Sequence, residues 1–405
     1  MERLIFHIDV NSAFLSWESA RRVSQGLPDL REIPSCVGGD PKKRTGIVVA
    51  KSIPAKKYGI QTGEPVAMAL RKCPNLVIVP SDFELYDKCS RAFKAICASF
   101  APVMESFSID EVFLDMTGTS LIYPDPVATA HELKDKIHRE LGFTVNVGIS
   151  TNKLLAKMAS DFEKPNKVHT LFPEEIPAKM WPLPVSSLLM CGRSSQETLR
   201  KLGISTIGDL ARCDKQLLAA HLKSHGILLW EYANGIDSSV VEPNPAQAKG
   251  IGNSTTMPTD ALSIEDMKPV LLKLCESVCA RLRKAHMYAG TITVEIKYSN
   301  FHSCSHQIAL PSPDYSSTVI YETSLSLLQE LWNGTPVRLL GVRATRLTDE
   351  TAPIQLDLFS YQEHTGQTEK NRRLDKTIDA IRRKYGEGAI MRGSLLSHTD
   401  THSSN

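Results

Sequence analysis

The order of apolar strands and amphipathic helices between residues 4 and 149 constrains the fold of this 405-residue chain more than any other feature. The patterns predict, in order, strand 4–10, helix 82–100, strands 102–107 and 112–115, helix 124–141 and a half-buried strand 143–149. This β-α-β-β-α-β order is typical of a ferredoxin-like sheet, in which the first and third strands lie side by side at the centre. Asp9 ends the first strand and Glu111 begins the third, so their carboxylates are expected to meet.

A pair of neighbouring carboxylates, Asp110 and Glu111, lies between the two middle strands. Adjacent strand residues point to opposite faces, so a turn or bulge is needed to aim both at one place. Like charges held close together raise each other's pKa unless a cation lies between them. Mg²⁺ is such a cation, because it prefers oxygen ligands and keeps waters for a phosphate substrate. Alone, the pair is more simply a polar hairpin tip and Asp9 a helix cap, but three converging acids predict a two-metal phosphoryl-transfer site.

Clusters of basic residues accompany these acids, although the net charge of the whole chain is only +2. Six cations and no acid occur between residues 42 and 57, namely Lys42, Lys43, Arg44, Lys51, Lys56 and Lys57. Such a run is either a solvated face or, beside glycine-rich turns, a phosphate-contacting surface. A helix that follows Ser150 carries Lys153 and Lys157 one turn apart on one face.

The second half of the chain is divided by polar, proline-containing segments near residues 173–184 and 236–248. Between them, residues 185–211 predict two short helices, 186–193 and 198–204, around a glycine turn. That arrangement is typical either of a DNA-phosphate contact or of a small helical packing unit.

A mixed α/β domain is expected from about residue 250 to residue 347, with helices near 263–285 and 315–333. Its last strand, 337–347, carries Arg338, Arg343 and Arg346, which predicts a positively charged strand face for DNA. Residues 370–385 predict a basic helix, whose role stays open between DNA and a second partner. The nine scattered cysteines lack a Cys-x-x-Cys pair, and no signal peptide or membrane-length apolar run is present, so a reduced, cytoplasmic protein is expected.

Several short motifs, taken together and in order, resemble those of the Y-family translesion DNA polymerases over residues 4 to at least 347. They are Phe6-His7-Ile8-Asp9, Ser108-Ile109-Asp110-Glu111, Gly148-Ile149-Ser150 with Asn152-Lys153, Ala156-Lys157 with Lys164-Pro165, and Lys201-Leu202-Gly203-Ile204. The resemblance implies an α+β multidomain protein shaped like a right hand. Its parts would be a ferredoxin-like palm (1–10 and 82–172), small fingers (11–81), a helical thumb with a helix-hairpin-helix-like turn (173–235), a linker (236–247), an α/β little finger (248–347) and a tail (348–405).

The resemblance also assigns site residues. Asp9, Asp110 and Glu111 would be catalytic and, with the backbone carbonyl of Val10, would hold two Mg²⁺ ions. Nucleotide contacts would come from Ser12, Ala13, Phe14, Ala50, Ile53, Lys56 and Lys164. Phe14 would be the steric gate against a 2′-hydroxyl, the alternative being a core residue of the first helix. DNA contacts would come from Gly192, Lys201, Gly203, Arg338, Arg343 and Arg346.

Three departures from the family pattern affect contacts rather than the carboxylates. Ile53 and Lys56 replace the usual Tyr-x-x-Arg pair on the triphosphate, so one hydrogen bond is lost and a fork becomes a point charge. Ser12 and Ala13 replace bulkier residues beside the gate and leave a roomier pocket. Met190 replaces the first glycine of the thumb turn.

The implied activity is template-directed DNA synthesis from deoxynucleoside triphosphates on primer–template DNA, in translesion synthesis and repair, with low fidelity and no proofreading. A monomer that binds the bacterial sliding clamp is expected, because Gln355-Leu356-Asp357-Leu358-Phe359 resembles the clamp-binding pentapeptide. The same residues could instead form a strand folded back on the little finger. The alternative functions are a catalytically silent, clamp-tethered DNA-binding subunit and another palm-type nucleotidyl enzyme.

Overall fold

The computed structural model describes residues 3–40, 46–244, 247–352 and 367–393, without the side chains of residues 367–369 and 387. The chain divides into two units, Met1–Pro245 and Ala246–Asn405. Lys42, Lys43, Arg44 and the predicted clamp-binding residues Gln355, Leu356, Asp357, Leu358 and Phe359 lie outside the described residues. All nine cysteines are free, as predicted. Among the described helices, none is both long and apolar enough to cross a membrane.

The first unit contains two sheets and the helices that cover them. Its strands are β1 Ile5–Val10, β2 Ser35–Gly38, β3 Val48–Lys51, β4 Val77–Val79, β5 Val103–Ser106, β6 Glu111–Asp115, β7 Val145–Ser150 and β8 Val168–Thr170. Its helices are α1 Ala13–Ser24, α2 Ile53–Lys57, α3 Val66–Lys72, α4 Phe83–Ala98, α5 Pro126–Leu141, α6 Lys153–Ser160, α7 Arg193–Lys201, α8 Ile207–Arg212 and α9 Lys215–Ala233.

The larger sheet has the strand order β5-β6-β1-β7-β8, which confirms the ferredoxin-like arrangement. Strands β1 and β6 are antiparallel neighbours, and their register places Asp9 directly opposite Glu111. The prediction of a half-buried last strand was wrong, because β7 is buried along its whole length. Its apolar residues face the core that includes α5, and α6 covers the other side. At Gly148, an added Cβ would lie 1.9 Å from the carbonyl oxygen of Ala156, so only glycine admits α6 this closely.

A small three-stranded sheet, in the order β3-β2-β4, precedes α4 and packs with the short helices α2 and α3. Strand β4 consists of apolar residues, yet Val77 at its start is 38% exposed. The reason is its position at the edge of the sheet, where β2 is its one described neighbour. Local apolar character could not reveal that position.

The segment after β8 is helical, but its helices differ from the prediction. Residues 186–193 form a single 3-10 turn, Val185–Ser187, followed by loop, and α7 already begins at Arg193. Gly192 is the N-cap of α7, and Gly203 follows it with φ +78°. Helices α8 and α9 were not predicted. Part of the expected linker is also fixed on the first unit, since Val241 packs in a buried cluster with Ile5 and Phe113.

The second unit is a four-stranded antiparallel sheet in the order β11-β10-β12-β9, covered on one face by two long helices. Its elements are β9 Gly250–Ala261, α10 Ile264–Lys284, β10 Met287–Tyr298, β11 Ser303–Asp314, α11 Ser317–Leu331 and β12 Val337–Asp349. These confirm the predicted mixed domain with two long helices. The predicted basic helix is present as α12, Gln367–Tyr385, and it contacts α11.

Candidate active site

The end of strand β1 is fastened on both sides by backbone hydrogen bonds. The Val10 amide donates to the Asp110 carbonyl (3.1 Å), and the Asn11 amide donates to the Thr144 carbonyl (3.0 Å). These bonds hold Asp9, opposite Glu111 in the sheet, next to the turn that carries Asp110. Three carboxylates that are distant in sequence therefore arrive at one end of the central strands.

The turn before Glu111 has the form that the neighbouring carboxylates require. The amides of Phe107 and Ser108 both donate to the carbonyl of Glu111 (3.1 and 3.2 Å), which closes the hairpin between β5 and β6. Helix α4 supports the turn, because the ammonium of Lys94 donates to the Ser108 carbonyl at 2.7 Å. The Ser108 hydroxyl in turn donates to the carboxylate of Asp110 at 2.6 Å. The turn thus fixes Asp110 beside the start of β6.

One cavity of about 520 Å³ collects every residue predicted to be catalytic or to contact the nucleotide. These are Asp9, Val10, Ser12, Ala13, Phe14, Ala50, Ile53, Lys56, Asp110, Glu111 and Lys164. The sequence interpretation missed other lining residues, namely Asn11, Val49, Lys51, Ser52, Thr62 and Pro165. Lys51 could have been found from its place in the basic run, whereas Thr62 carries no signal of its own.

Asp9 is a buried carboxylate that contacts the ammonium of Lys164. Burial raises the pKa of Asp9 to about 6, even though the charge of Lys164 acts to lower it and Glu111 adds to the rise. Burial also acts to lower the pKa of Lys164, but the carboxylates of Asp9 and Asp161 outweigh that effect and raise it. Lys164 is therefore a cation held against a carboxylate that resists ionisation.

Glu111 lies between a lysine and a neutral histidine. The ammonium of Lys157 is 2.8 Å from one carboxylate oxygen of Glu111, and Nε2 of His7 is 4.0 Å from the other. Burial lowers the pKa of His7 well below its ordinary value, and Nδ1 of its ring is hydrogen-bonded to the Ser160 hydroxyl at 2.7 Å. The sequence placed Lys157 on the correct helix but did not predict this ion pair.

The three carboxylates do not form a ready-made metal site in the structure. Among the described residues, no three His, Cys, Asp or Glu side chains are grouped closely enough to bind one ion. The cause is local, since Asp9 contacts Lys164, Glu111 contacts Lys157 and Asp110 accepts from Ser108. The donor set still suits a divalent cation, because three carboxylates that can supply oxygen ligands line one cavity.

Phe14 lines the cavity, as a steric gate would, and also packs among aromatic rings, as a core residue would. Its ring is partly buried and lies 4.7 Å from that of Tyr86 and 5.7 Å from that of Trp17, centroid to centroid. The same residue lines the cavity beside Ser12 and Ala13. Phe14 is therefore packed from behind by aromatic rings and faces the cavity in front.

The two departures on α2 leave an open, weakly fixed cation. Ile53 is 55% exposed and Lys56 is exposed, and the Ser52 hydroxyl caps the helix by accepting from the Ala55 amide at 3.0 Å. Lys51 is more constrained, since its ammonium donates to the Thr62 hydroxyl at 3.2 Å. Burial, together with the charge of Lys56, lowers the pKa of Lys51.

The predicted thumb contacts are accessible. An added Cβ would meet nothing within 4 Å at Gly192 or at Gly203, and Lys201 is exposed in the last turn of α7. Met190 is 58% exposed and has φ +67°, a backbone conformation that favours glycine. The replacement of glycine at residue 190 therefore leaves the turn in the conformation that a glycine would adopt.

The three predicted arginines of β12 lie in different local settings, and their contact with DNA stays a prediction. Arg343 is exposed and lines a polar cavity of about 620 Å³ on the open side of the sheet. Arg338 lies at a register shift between Val337 and Leu339, and its guanidinium is 4.9 Å from the Phe301 ring centroid. Arg346 is exposed and has φ +50°, and an added Cβ at Gly290 would lie 2.9 Å from its carbonyl oxygen.

Two family models match the chain. The model of the impB/mucB/samB family matches residues 8–161, and the model of the C-terminal domain of that family matches residues 248–358. The first match contains Asp9, Asp110 and Glu111, and the second contains all three arginines of β12.

Solved structures and curated relatives extend the match to the whole chain. A Y-family DNA polymerase chimera superposes with a TM-score of 0.75 at 23% identity, covering 85% of this chain and 99% of the chimera, which supports the fold. The DNA polymerase IV of Clostridium acetobutylicum is 45% identical over 397 residues, 98% of this chain and 99% of the relative. The chain belongs to the Y-family DNA polymerases. DNA polymerase IV 1 of Bacillus subtilis supports this assignment. It is 36% identical over 98% of this chain and 94% of the relative.

Membership in the family settles several predictions. The Y-family polymerase fold and the activity class, a DNA-directed DNA polymerase of the translesion type, are confirmed. The silent subunit and the other palm-type enzyme are not favoured. Y-family polymerases generally use divalent metal ions, which agrees with the oxygen ligands of the cavity.

Proposed function

We propose that this Y-family polymerase adds deoxynucleotides to a primer 3′ end with two Mg²⁺ ions held by Asp9, Asp110, Glu111 and the Val10 carbonyl. The observation that supports this is the single cavity that combines all three carboxylates with Phe14 and three lysines. Bound ions would activate the primer hydroxyl and offset the charge of the triphosphate. The protein residues supply position and charge, which are the main requirements of phosphoryl transfer.

The lysines that contact the carboxylates, together with Lys56, also have a role in this proposal. Lys164 and Lys157 neutralise Asp9 and Glu111 in the structure as it stands. Once those carboxylates have other partners, the ammonium of Lys164 can bind the triphosphate. Lys56 supplies a further positive charge from α2, and Ile53 contributes an apolar contact but no hydrogen bond.

The rest of the nucleotide pocket determines which sugar and base it accepts. Phe14 lies under the sugar and excludes a 2′-hydroxyl, while Ala50 adjoins the nascent base pair. Ser12 and Ala13 leave extra space beside the gate. Such a pocket fits the low-fidelity bypass of damaged templates.

The DNA and partner contacts belong to the same proposal. The domain boundaries are those given above for the palm, fingers, thumb, linker, little finger and tail. DNA phosphates are contacted by Gly192, Lys201, Gly203, Arg338, Arg343 and Arg346. The sliding clamp binds the segment Gln355-Leu356-Asp357-Leu358-Phe359. The enzyme acts as a cytoplasmic monomer.

The deciding experiment is primer extension by the purified protein with Mg²⁺, compared with Asp110→Asn and Glu111→Gln. Both variants keep the shape of the side chain and remove the charge that a metal ion needs. Extension should fall by a factor of about a thousand or more, while the affinity for primer–template DNA stays within about twofold of the parent protein. Ser108→Ala is the matched control, since it removes only the hydroxyl that contacts Asp110, and it should retain most of the activity. Full extension by either carboxylate variant would refute the two-metal assignment.

A further inference from the structure

Helix α12 is fixed to the second unit by charged residues on one of its faces. The guanidinium of Arg283 on α10 contacts both carboxylate oxygens of Asp379, at 2.5 and 2.9 Å. Asp375 accepts from the Ser317 amide at 2.8 Å, at the start of α11. Arg382 reaches Glu276 of α10 at 2.9 Å. Both aspartates of α12 are thus occupied on the inner face.

The outer face of α12 carries positive charge that is not offset in the same way. From Lys370 to Tyr385, its exposed ionisable residues besides tyrosine are Lys370, Arg373, Lys376, Arg383 and Lys384. Lys376 approaches Glu350 at 3.5 Å. Among the described residues, Lys370, Arg383 and Lys384 have no carboxylate partner. Between Lys370 and Tyr385, both acids are therefore used in inner contacts, and the exposed charged residues are all cations.

The positive surface continues onto the end of α10. Lys284 and His286 are exposed there, and with Lys376 and Arg383 they line a cavity of about 820 Å³. The wall of this cavity also contains two acids, Glu350 and Asp379. Glu350 is 3.2 Å from His286, and Asp379 is paired with Arg283. One basic surface, which we call the α12 surface, therefore consists of Lys370, Arg373, Lys376, Arg383 and Lys384 of α12 with Lys284 and His286 at the end of α10.

We propose that the α12 surface binds the phosphate backbone of DNA, at a place separate from the open face of the sheet. The inner ion pairs hold the helix rigidly, so the outer cations are presented as a fixed row rather than as a mobile tail. The row from Lys370 to Lys384 spans about 21 Å at the helical rise of about 1.5 Å per residue, long enough to follow several phosphates.

The separation from the open sheet face follows from the packing of the second unit. Leu340, Val342 and Ala344 of β12 are buried in the core that includes α10 and α11. Arg343 alternates with them and lines the opposite face. Helix α12 contacts α10 and α11, so it lies on the side of the sheet that these helices cover. A DNA segment bound on the Arg343 side therefore cannot contact the α12 surface at the same place. The proposal rests on the assigned polymerase function, which supplies DNA as the polyanion.

The test compares DNA binding by the full-length protein with binding by the triple variant Lys370→Gln/Arg383→Gln/Lys384→Gln. None of these residues takes part in the inner ion pairs, so the fold should persist. Fluorescence anisotropy with a labelled primer–template is recorded over a range of salt concentrations. The slope of log affinity against log salt should become shallower by about 2 to 3, since each lost phosphate contact contributes about 0.9. At low salt the Kd should rise on the order of tenfold.

The matched control is Lys88→Gln/Arg139→Gln/Lys273→Gln, which removes the same charge from exposed positions on α4, α5 and α10. It should keep the parent slope. Primer extension at saturating DNA should be unchanged in both variants, which separates this proposal from the catalytic assignment. An unchanged slope in the α12 variant, an equal change in the control, or a loss of extension at saturating DNA would each overturn the proposal. The first result would be expected if the surface binds an acidic protein.

Discussion

Each carboxylate of the cavity has a partner that a metal ion would have to displace. Lys164 contacts Asp9, Lys157 contacts Glu111, and the Ser108 hydroxyl contacts Asp110. The charges are nevertheless unbalanced, because burial still raises the pKa of Asp9 to about 6. Ionising this buried acid costs more free energy in the folded protein than in the unfolded chain, so the charge of Asp9 lowers the stability of the protein at neutral pH.

We predict that Asp9→Asn raises the free energy of unfolding without added metal, by about 1 to 3 kcal/mol at pH 7.5. The sign follows from the folded pKa of about 6 against the ordinary value of 3.8. The gain should be complete above pH 6 and should shrink as the pH falls towards 4. Urea unfolding in the presence of a chelator measures it. Asp161→Asn, which removes an exposed carboxylate from the same lysine, should change stability by less than about 0.5 kcal/mol. A destabilised Asp9→Asn variant would contradict the prediction.

For Phe14, the position of the ring at the cavity wall predicts altered sugar selection. Phe14→Ala should raise ribonucleotide incorporation relative to deoxynucleotide by about a hundredfold or more, because the ring is proposed to clash with the 2′-oxygen. Single-nucleotide extension with each type of triphosphate gives the ratio of the two kcat/KM values. Phe83→Ala is the control, since Phe83 belongs to the same aromatic cluster but does not line the cavity. If both variants change the ratio equally, packing rather than gating is responsible.

At the scale of elements, helix α6 matters more than its eight residues suggest. It covers β7 and β1 and carries Lys157 to Glu111. Its close approach depends on Gly148, because any larger residue there would meet the backbone of Ala156 and Ser160. The packing of α6 on β7 therefore also positions the cation that neutralises Glu111.

We expect Gly148→Ala to lower the free energy of unfolding by about 3 kcal/mol or more, because the new Cβ has no room and the obstructing atoms are backbone. Gly192→Ala is the control, with open space around the position, and should cost less than about 1 kcal/mol. Denaturant unfolding of the purified variants measures both changes. Equal effects would show that the contact between α6 and β7 can relax.

Most element predictions depended on local periodicity, and they succeeded where burial follows from the element itself. The helices now seen at Phe83–Ala98 and Pro126–Leu141 were predicted to within two residues at each end. The full burial of β7 was missed, because neighbours that are distant in sequence decide it. Helix α9 was also missed. Its apolar residues do not follow one clear helical stripe, and a non-helical residue, Lys223, interrupts it.

At the scale of the whole molecule, the catalytic cavity and the proposed DNA and clamp contacts divide between two units. The cavity lies entirely in the first unit, and Arg343 and the α12 surface lie in the second. A tether to a clamp would raise the local concentration of the enzyme at a primer end without changing the cavity. Activity with and without clamp should therefore respond to different residues.

The double change Leu358→Ala with Phe359→Ala tests that separation. Clamp binding should weaken by about a hundredfold, since apolar anchors carry most of the energy of short peptides. Clamp-stimulated extension should fall with it, while extension without clamp stays unchanged. The double variant keeps Gln355, Leu356 and Asp357. A separate Asp357→Ala variant serves as the control and should weaken clamp binding less. Equal loss in both assays would indicate a strand folded onto the little finger.

The sequence by itself determined the chemistry of this protein and the order of its elements. That Asp9, Asp110, Glu111 and Phe14 line one cavity could be predicted, because their motifs are short, local and correctly ordered, and because the β-α-β-β-α-β order leaves few topologies. Only the tertiary structure decided that Lys157 neutralises Glu111, that Arg338 packs against the Phe301 ring, and that Asp375 and Asp379 of α12 pair with the rest of the second unit. The physical reason is that ion pairing, strand irregularities and helix packing depend on atoms brought together by folding, whereas local periodicity reports only which residues prefer to be buried.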